Sequence, residues 1–276
     1  MRVGIHLPQY GRVAGRDAIL RAARHAEALG FAGVWVSDHV VQPAEQDYPS
    51  PYLFDPLVTL AAAAAVTEHV DLGTSVLVVP QHNPLELANA LASIDALSNG
   101  RVTAGVGVGW SRGEFEALGY DFANRGDRAD EIIDLFRTVW RDDPASFSGR
   151  FHRFENLRVL PKPAHVIPIW VGGGSDRAHR RAVERGDGFQ LIGVTPEESA
   201  PVVARLRELR PEPGFTISLR TGWDPLGIEP DRIREEYERY ERAGVQYVVC
   251  APWRRDLDEW LRAMEQLARL VGLTPR

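Results

Sequence analysis

The chain has 276 residues, of which 44% are hydrophobic and 25% charged, as expected for one globular domain with a sizeable core. Its net charge of −6 argues against nucleic acid or an anionic membrane surface as a partner. The single cysteine, Cys250, excludes an internal disulfide and a cysteine metal cluster. No long apolar run or signal-peptide pattern is present, so we expect a cytoplasmic protein without a membrane span.

A unit of strand, loop, helix and glycine repeats along the first half of the chain. The apolar, β-branched segments that we predict as strands one to four are Val3–Leu7, Ala32–Val36, Leu72–Val78 and Val102–Val108. The helices between them are predicted at Asp17–Leu29, from Asp55 through Ala65, and from Asn83 to Gly100, where Pro84 and Glu86 add helix-start signals. A polar section, Trp110–Gly126, then precedes a helix at about Asp127–Arg141.

The second half begins with an irregular excursion and then resumes the same rhythm. Residues Asp142–Val166 are predicted to hold a small hairpin around Phe147–Phe154. Strands five to eight are predicted at Ile167–Val171, Gly188–Ile192, Phe215–Thr221 and Gln246–Cys250, with helices starting near Ser175, Thr195, Pro230 and Leu257. Eight such units predict a single domain, 1–276, folded as a (β/α)₈ TIM barrel with an insertion after strand 4. The competing interpretation is a doubly wound open sheet.

The segment Val166–Ala182 combines a short strand, three glycines and a helix start. Gly172, Gly173 and Gly174 let a ligand approach the backbone, and Ser175 is an N-cap candidate for the helix that follows. The free N–H groups and positive dipole at a helix N-terminus favour a phosphate. A plain tight turn is the alternative interpretation, and this pattern is not a Rossmann fingerprint.

In a (β/α)₈ barrel the chemistry lies on the loops after the strands, and this rule selects further candidates. Asp38-His39 follows strand two, where a histidine can act as a general acid or base; capping and surface roles are the alternative. Gly105, Gly107 and Gly109 share one face of strand four, which indicates either space for something bulky or crowding inside the barrel. The aromatic residues that could form walls for a flat apolar ligand are Tyr10, Trp110, Trp223 and Trp253. No convincing metal-ligand spacing is found, so we predict no metal site, although His6, His39 and His82 keep a metal hydrolase as a distant alternative.

Four segments in order resemble the bacterial-luciferase-like family, and above all its coenzyme F420-dependent oxidoreductases. The segments are Gly30–His39 (GFAGVWVSDH), Leu72–Pro84 (LGTSVLVVP followed by NP), Gly100–Trp110 (GRVTAGVGVGW) and Pro168–Ser175 (PIWVGGGS). The resemblance covers about the first two thirds of the chain and implies a TIM barrel that binds F420 or FMN at the carboxyl ends of its strands.

The resemblance also assigns roles to residues. It implies that Gly172–Ser175 and Gly107–Gly109, with Val108 between, bind the cofactor phosphate. A non-proline cis peptide at Ser75–Val76 would support the ring of the cofactor. His39 would act in proton transfer or charge stabilisation, and Asp38 would contact the cofactor or His39. Sugar-phosphate dehydrogenases of the family have a catalytic glutamate where this chain has Trp110, which argues against sugar-phosphate oxidation; Glu114 lies nearby.

Four functions therefore remain open at this stage. The first is an F420-dependent oxidoreductase that transfers a hydride between the deazaflavin C5 and an organic substrate, and the second is an FMN-dependent monooxygenase that activates oxygen. The others are a metal hydrolase and a non-catalytic cofactor carrier. The resemblance further implies a homodimer with a small-molecule substrate, and the loop Val41–Phe54, which contains Tyr48 and Tyr52, is expected to cover the site.

Overall fold

Parallel strands close into a barrel in the computed structural model, which describes residues 1–46 and 50–276. The strands are β1 (Arg2–His6), β2 (Gly33–Val36), β3 (Asp71–Thr74), β4 (Leu77–Val78), β5 (Val102–Gly107), β6 (Ala145–Ser148), β7 (Arg153–Leu157), β8 (Ile169–Gly172), β9 (Gly188–Ile192), β10 (Thr216–Thr221) and β11 (Tyr247–Cys250). The sheet runs in the order β3-β2-β1-β11-β10-β9-β8-β5-β4, and the pairing of β3 with β5 closes it. This confirms the predicted (β/α)₈ barrel rather than an open sheet.

Helices cover the outside of the barrel and follow the predicted order. They are α1 (Arg16–Ala28), α2 (Pro56–Ala64), α3 (Pro84–Leu97), α4 (Arg112–Ala117), α5 (Arg125–Arg141), α6 (Asp176–Arg185), α7 (Pro196–Leu209), α8 (Pro230–Arg242) and α9 (Leu257–Leu270). Their starts agree with the capping signals in the sequence. The Asn83 side chain accepts a hydrogen bond from the Leu85 backbone N–H at 3.0 Å, and Thr195 and Glu198 form a reciprocal capping box.

The insertion after the fourth barrel strand contains the β6–β7 hairpin, which the sequence predicts, and helix α4, which it does not. The hairpin is confirmed, with Phe147 opposite Phe154 in the β6–β7 pair. Helix α4 was not predicted, because it is only six residues long and lies in the polar section before α5. Its buried residues are Glu114 and Phe115, so it presents a carboxylate as well as a ring to the interior.

The third barrel strand is interrupted, whereas the sequence predicts one continuous strand. The Ser75–Val76 peptide bond is cis, as the family resemblance implies, and separates β3 from β4. A Cβ added at Gly107 would lie 2.6 Å from Val76 Cγ2, and one added at Gly105 would lie 1.9 Å from the Thr74 carbonyl oxygen. The glycine stripe of β5 therefore makes room for the interrupted third strand. Of the two interpretations of this stripe, crowding inside the barrel is the one that the structure supports.

An aromatic cluster fills part of the barrel interior. Trp35 on β2 stacks on Trp170 of β8 with ring centroids 5.1 Å apart, and Tyr247 of β11 packs edge-on against both rings. The Trp35 indole N–H donates to the Tyr247 hydroxyl at 3.1 Å, so the buried polar atoms satisfy each other. No helix in the described part of the chain is long and apolar enough to cross a membrane.

Candidate active site

A cavity of about 340 Å³ lies at the carboxyl ends of the barrel strands. Residues from or after seven of the eight barrel strands and from the loop before α2 line it: Tyr10, Ser37, Asp38, His39, Leu53, Ser75, Val76, Val78, Gly107, Val108, Gly109, Trp110, Gly172, Gly173, Gln190, Ile192 and Arg220. The structure thus brings the Asp-His pair, the cis peptide and both glycine segments to one cavity. Tyr48, in the loop predicted to cover the site, lies outside the described residues.

Asp38 is buried and is bonded to the third strand. Its Oδ2 atom accepts hydrogen bonds from the Val78 backbone N–H at 2.8 Å and from His82 Nε2 at 2.6 Å. Burial works against the charged form of His82, but the hydrogen bond and charge of Asp38 outweigh it and raise the pKa of His82. Asp38 Oδ1 is also buried and has no partner within the described residues, which leaves an acceptor for a bound molecule.

His39 is held by a different carboxylate. Its Nδ1 atom lies 3.0 Å from Oε2 of Glu114, whose other oxygen accepts the Val40 backbone N–H at 2.8 Å. Because a carboxylate can only accept, the histidine carries a proton on Nδ1, and Nε2 is the ring nitrogen available to a ligand. Trp110 packs edge-on against the same ring, with centroids 5.9 Å apart. Asp38 is therefore not the partner of His39.

Beside the end of β2, polar groups from three strands meet at Ser75. The Ser75 hydroxyl donates to Oε1 of Gln190 at 2.6 Å, and the Ser75 carbonyl accepts a short hydrogen bond from Arg220. Gln190 Nε2 is buried and has no partner among the described residues. This amide therefore offers an N–H donor beside the cavity, in addition to the Asp38 acceptor.

His6, at the end of β1, is buried and neutral. Complete burial and the charge of Arg220 lower the pKa of His6 to about 3, although its hydrogen bond to Leu7 acts the other way. In the neutral ring Nδ1 donates to the Leu7 carbonyl at 2.7 Å, so Nε2 accepts from the Ser37 hydroxyl at 2.8 Å. His6 thus supports the end of β2, just before the Asp-His pair, without carrying charge.

The glycine turn before α6 has the geometry that a close backbone approach needs. Gly173 has φ +140, a conformation that side chains rarely adopt, and a Cβ at Gly174 would meet nothing within 4 Å. The Ser175 hydroxyl accepts from the Ala178 N–H at 3.2 Å and so caps the helix. Gly172 and Gly173 line the same cavity as Gly107, Val108 and Gly109, as required for a shared phosphate site.

The four aromatic wall candidates are not all in one place. Tyr10 and Trp110 line the cavity, and Trp110 is 54% exposed at its mouth. Trp223 instead lies in the core, 1% exposed, with its indole N–H donating to Glu236 at 2.9 Å. Trp253 packs on Tyr10 with centroids 5.4 Å apart but faces a neighbouring cavity. The sequence shows that these rings follow strand ends, but it does not show which way they turn.

Comparison with known proteins agrees with this arrangement. The model of the luciferase-like monooxygenase family matches residues 1–225, a span that contains every strand end named above except that of β11. The chain belongs to the luciferase-like monooxygenase family. It is accordingly an oxidoreductase, and the family expected from its motifs is confirmed.

Two curated relatives show how members of the luciferase-like family resemble this chain. An uncharacterized protein of Mycobacterium tuberculosis is 34% identical over 207 residues, covering 70% of this chain and 72% of the relative. An F420-dependent glucose-6-phosphate dehydrogenase of Amycolatopsis mediterranei is 34% identical over 178 residues, covering 63% of this chain and 52% of the relative.

Two solved structures share the fold at low sequence identity. An F420-dependent secondary alcohol dehydrogenase, in complex with an F420-acetone adduct, gives a TM-score of 0.82 at 19% identity, covering 100% of this chain and 99% of the other. The monooxygenase RslO1 from Streptomyces bottropensis gives 0.81 at 22% identity, covering 99% of each chain. At such identities the likeness establishes the fold alone.

Several polar residues of this luciferase-like site were not predicted from the sequence. Glu114 was noted only as a neighbour of Trp110, yet it is buried and bonded to His39. Gln190 and Arg220 were missed, although both lie in or at the ends of apolar strands, where a polar residue is a usable signal. Among the described residues, no cluster of three or more histidine, cysteine, aspartate or glutamate side chains could hold a metal ion.

Proposed function

We propose that this protein is an F420-dependent oxidoreductase that transfers a hydride between the deazaflavin C5 and an organic substrate. The observation that carries the proposal is the Asp38-His39 pair at the end of β2, where His39 is fixed at the cavity edge by a buried glutamate. When bound, the deazaflavin would supply a carbon that accepts or donates a hydride, and the protein would supply orientation and electrostatics. The named F420-dependent relative and fold neighbour support this choice.

The residues present fit such a cofactor. Asp38 Oδ1 and Gln190 Nε2 are buried, lack partners among the described residues and belong to residues that line the cavity, so they offer an acceptor and a donor to the polar edge of a ring. Ser75 and Val76 provide a wall at the interrupted strand. The glycines of β5 and of the turn before α6 would receive the phosphate.

His39 is the residue that we propose for proton transfer or charge stabilisation. Its Nδ1 is bonded to Glu114, so a proton at the substrate would be taken or given at Nε2. Trp110 cannot supply the carboxylate that the sugar-phosphate dehydrogenases have at its position, and Glu114 is already engaged by His39 and Val40. Sugar-phosphate oxidation in those enzymes uses that glutamate, so we propose that the substrate of this protein is not a sugar phosphate.

An FMN-dependent monooxygenase is the second candidate. It is favoured by the family description and by the monooxygenase among the fold neighbours. The same wall and phosphate cradle would serve either tricyclic cofactor, so the two candidates differ in which cofactor binds tightly and whether oxygen is consumed.

The deciding experiment is a pair of binding titrations of the purified protein, one with F420 and one with FMN, followed by fluorescence. We expect saturable F420 binding at least tenfold tighter than FMN binding. The reverse preference would move the assignment to the monooxygenase, and binding of neither would refute both proposals. In the F420 complex His39→Ala should leave the affinity within about threefold, because the ring is held by other groups, and should abolish hydride transfer.

A further inference from the structure

A second cavity adjoins the candidate active site and has a different character. It has a volume of about 520 Å³ and is lined by the loops after β1 and β11, the start of α9 and one residue of the loop before α2: Leu7, Pro8, Gln9, Tyr10, Gly11, Arg12, Val13, Ser50, Trp253, Arg254, Arg255 and Trp260. Tyr10 lines both cavities. The proposed F420 chemistry makes no use of this second space.

The charge of the second cavity is positive. Three arginines line it, and none of its described lining residues is acidic. Arg254 is neutralised by Asp224, with Nη2 to Oδ2 at 2.6 Å and Nε to Oδ1 at 3.0 Å. Arg12 and Arg255 are exposed and form no ion pair within residues 1–46 and 50–276, so two guanidinium groups at the rim of this cavity are available to an anion. Guanidinium groups bind carboxylate and phosphate oxygens in a fork geometry.

A buried hydrogen-bond donor, the Trp260 indole N–H, also favours a ligand with acceptor oxygens. Trp260 is 3% exposed, and its indole Nε1 has no hydrogen-bond partner in the described part of the chain. An indole N–H can only donate, and leaving a buried donor unpaired destabilises the folded protein. An acceptor oxygen of a bound molecule would satisfy it.

A thin aromatic wall separates the two cavities. The rings of His6, Tyr10 and Trp253 have centroids 5.4 to 5.6 Å apart, and Arg220 from the first cavity lies 5.7 Å from the Trp253 ring centre. Trp253 has φ +52, a left-handed backbone that is unusual for a bulky residue and is common at ligand-binding sites. Tyr10 borders both cavities, so the two spaces meet at this ring.

We infer that the second cavity binds the carboxylate or phosphate end of an organic anion whose opposite, apolar end reacts in the first cavity. This inference rests on the proposed function for the place where the substrate reacts, and it adds the substrate class. Arg12, Arg255 and the Trp260 N–H hold the anionic group, while Tyr10 and Trp253 pack on the body of the molecule.

The test is a titration of the cofactor-free protein with inorganic phosphate and, separately, with malonate, observed at the Trp260 indole ¹H–¹⁵N resonance, which is assigned by its loss in Trp260→Phe. We expect saturable shifts, with the tighter probe identifying phosphate or carboxylate as the preferred group. The double variant Arg12→Gln/Arg255→Gln should weaken the binding at least tenfold. The control Arg262→Gln/Arg269→Gln removes the same charge from exposed positions of α9 and should leave it unchanged.

Two results would overturn the inference. One is anion binding that is absent, or that is equal in the wild type and the two double variants. The other is a loss of F420 affinity in Arg12→Gln/Arg255→Gln but not in the control, which would assign the second cavity to the cofactor. Failure of the proposed function has a different signature, because a protein that binds neither F420 nor FMN could still bind phosphate beside Trp260.

Discussion

At the scale of single residues, the site contains two carboxylate–histidine pairs, and neither of them joins Asp38 to its sequence neighbour His39. Asp38 bonds His82, whereas His39, its neighbour in sequence, bonds Glu114. Both carboxylates also accept a backbone N–H, from Val78 and Val40 respectively. Each carboxylate thus ties a histidine to a strand-end loop, and removing one would free both the ring and the backbone.

The substitution Glu114→Gln tests whether the Glu114 carboxylate holds both His39 and the Val40 backbone. An amide has one acceptor oxygen for two N–H donors, so one contact is lost, and we expect a fall of about 1–3 kcal/mol in the free energy of unfolding. We also expect His39 to lose its fixed Nδ1–H tautomer, seen as averaging of its two ring ¹⁵N shifts. Urea unfolding and histidine NMR measure the two effects. Glu116→Gln, at an exposed position of α4, should change neither, and an unaltered tautomer in Glu114→Gln would contradict the pairing.

His6 gives a prediction of pH dependence. The unfolded chain binds a proton at this ring below about pH 6.5, whereas the folded chain binds it only near pH 3. Stability therefore decreases as the pH falls through this window, by about 1.4 kcal/mol per pH unit from this group. His6→Gln should flatten the slope of unfolding free energy between pH 6 and pH 4.5 by roughly that amount, as measured by urea unfolding. Exposed His69→Gln is the control, and equal slopes in wild type and His6→Gln would refute the assignment.

At the scale of elements, the glycines of β5 and of the turn before α6 do different work. Gly105 and Gly107 accommodate the interrupted third strand, because a Cβ there would overlap Thr74 or Val76. Gly173 instead shapes a turn whose next residue, Gly174, borders open space. One set of glycines is therefore needed for packing, and the other leaves a helix N-terminus open to a ligand.

Gly173→Ala against Gly193→Ala separates ligand binding from backbone strain. Both glycines have positive φ, +140 and +64, so both substitutions should cost roughly 1 kcal/mol of stability through backbone strain, and Gly173→Ala should cost more because its Cβ would lie 2.9 Å from the Ala178 Cβ. Only Gly173 lines the cavity, and we expect its variant alone to weaken F420 binding, by at least tenfold. Fluorescence titration measures the affinity. Equal affinities in the two variants would exclude the turn before α6 as the phosphate site.

At the scale of the whole molecule, stability and chemistry lie at opposite ends of the barrel. The Trp35–Trp170–Tyr247 cluster fills the interior near the beginnings of β8 and β11, while the cavities lie beyond the strand ends. This division is common to (β/α)₈ barrels, in which loops after the strands carry the site. Changes in one end should consequently leave the other largely intact.

Trp170→Ala and Trp110→Ala test this division with the same substitution at each end. Trp170 is 6% exposed and stacked on Trp35, so its truncation should cost about 3–5 kcal/mol of unfolding free energy. F420 affinity should stay within about threefold. Trp110 is 54% exposed, and its truncation should change stability by less than about 0.5 kcal/mol. Urea unfolding and F420 titration on both variants provide the comparison; a loss of F420 affinity in Trp170→Ala would show that the ends are coupled.

The sequence by itself determined the barrel, most strand and helix positions, and the family. These depend on local signals: the apolar period, N-caps such as Asn83 and Thr195, and the chain order of short motifs. The hairpin at Phe147–Phe154 also followed from such signals, whereas the cis peptide at Ser75–Val76 was implied by the family resemblance. The local signals are properties of neighbouring residues, so one chain is enough to recognise them.

Only the tertiary structure decided which side chains meet. Glu114 reaches His39 from 75 positions away, and Ser75 reaches Gln190 from 115 positions away. Trp223 turned into the core and Trp253 toward a second cavity, although both follow strand ends in the sequence. Pairings and side-chain directions of this kind depend on how strands from distant parts of the chain come together in the closed barrel, and no local pattern encodes that.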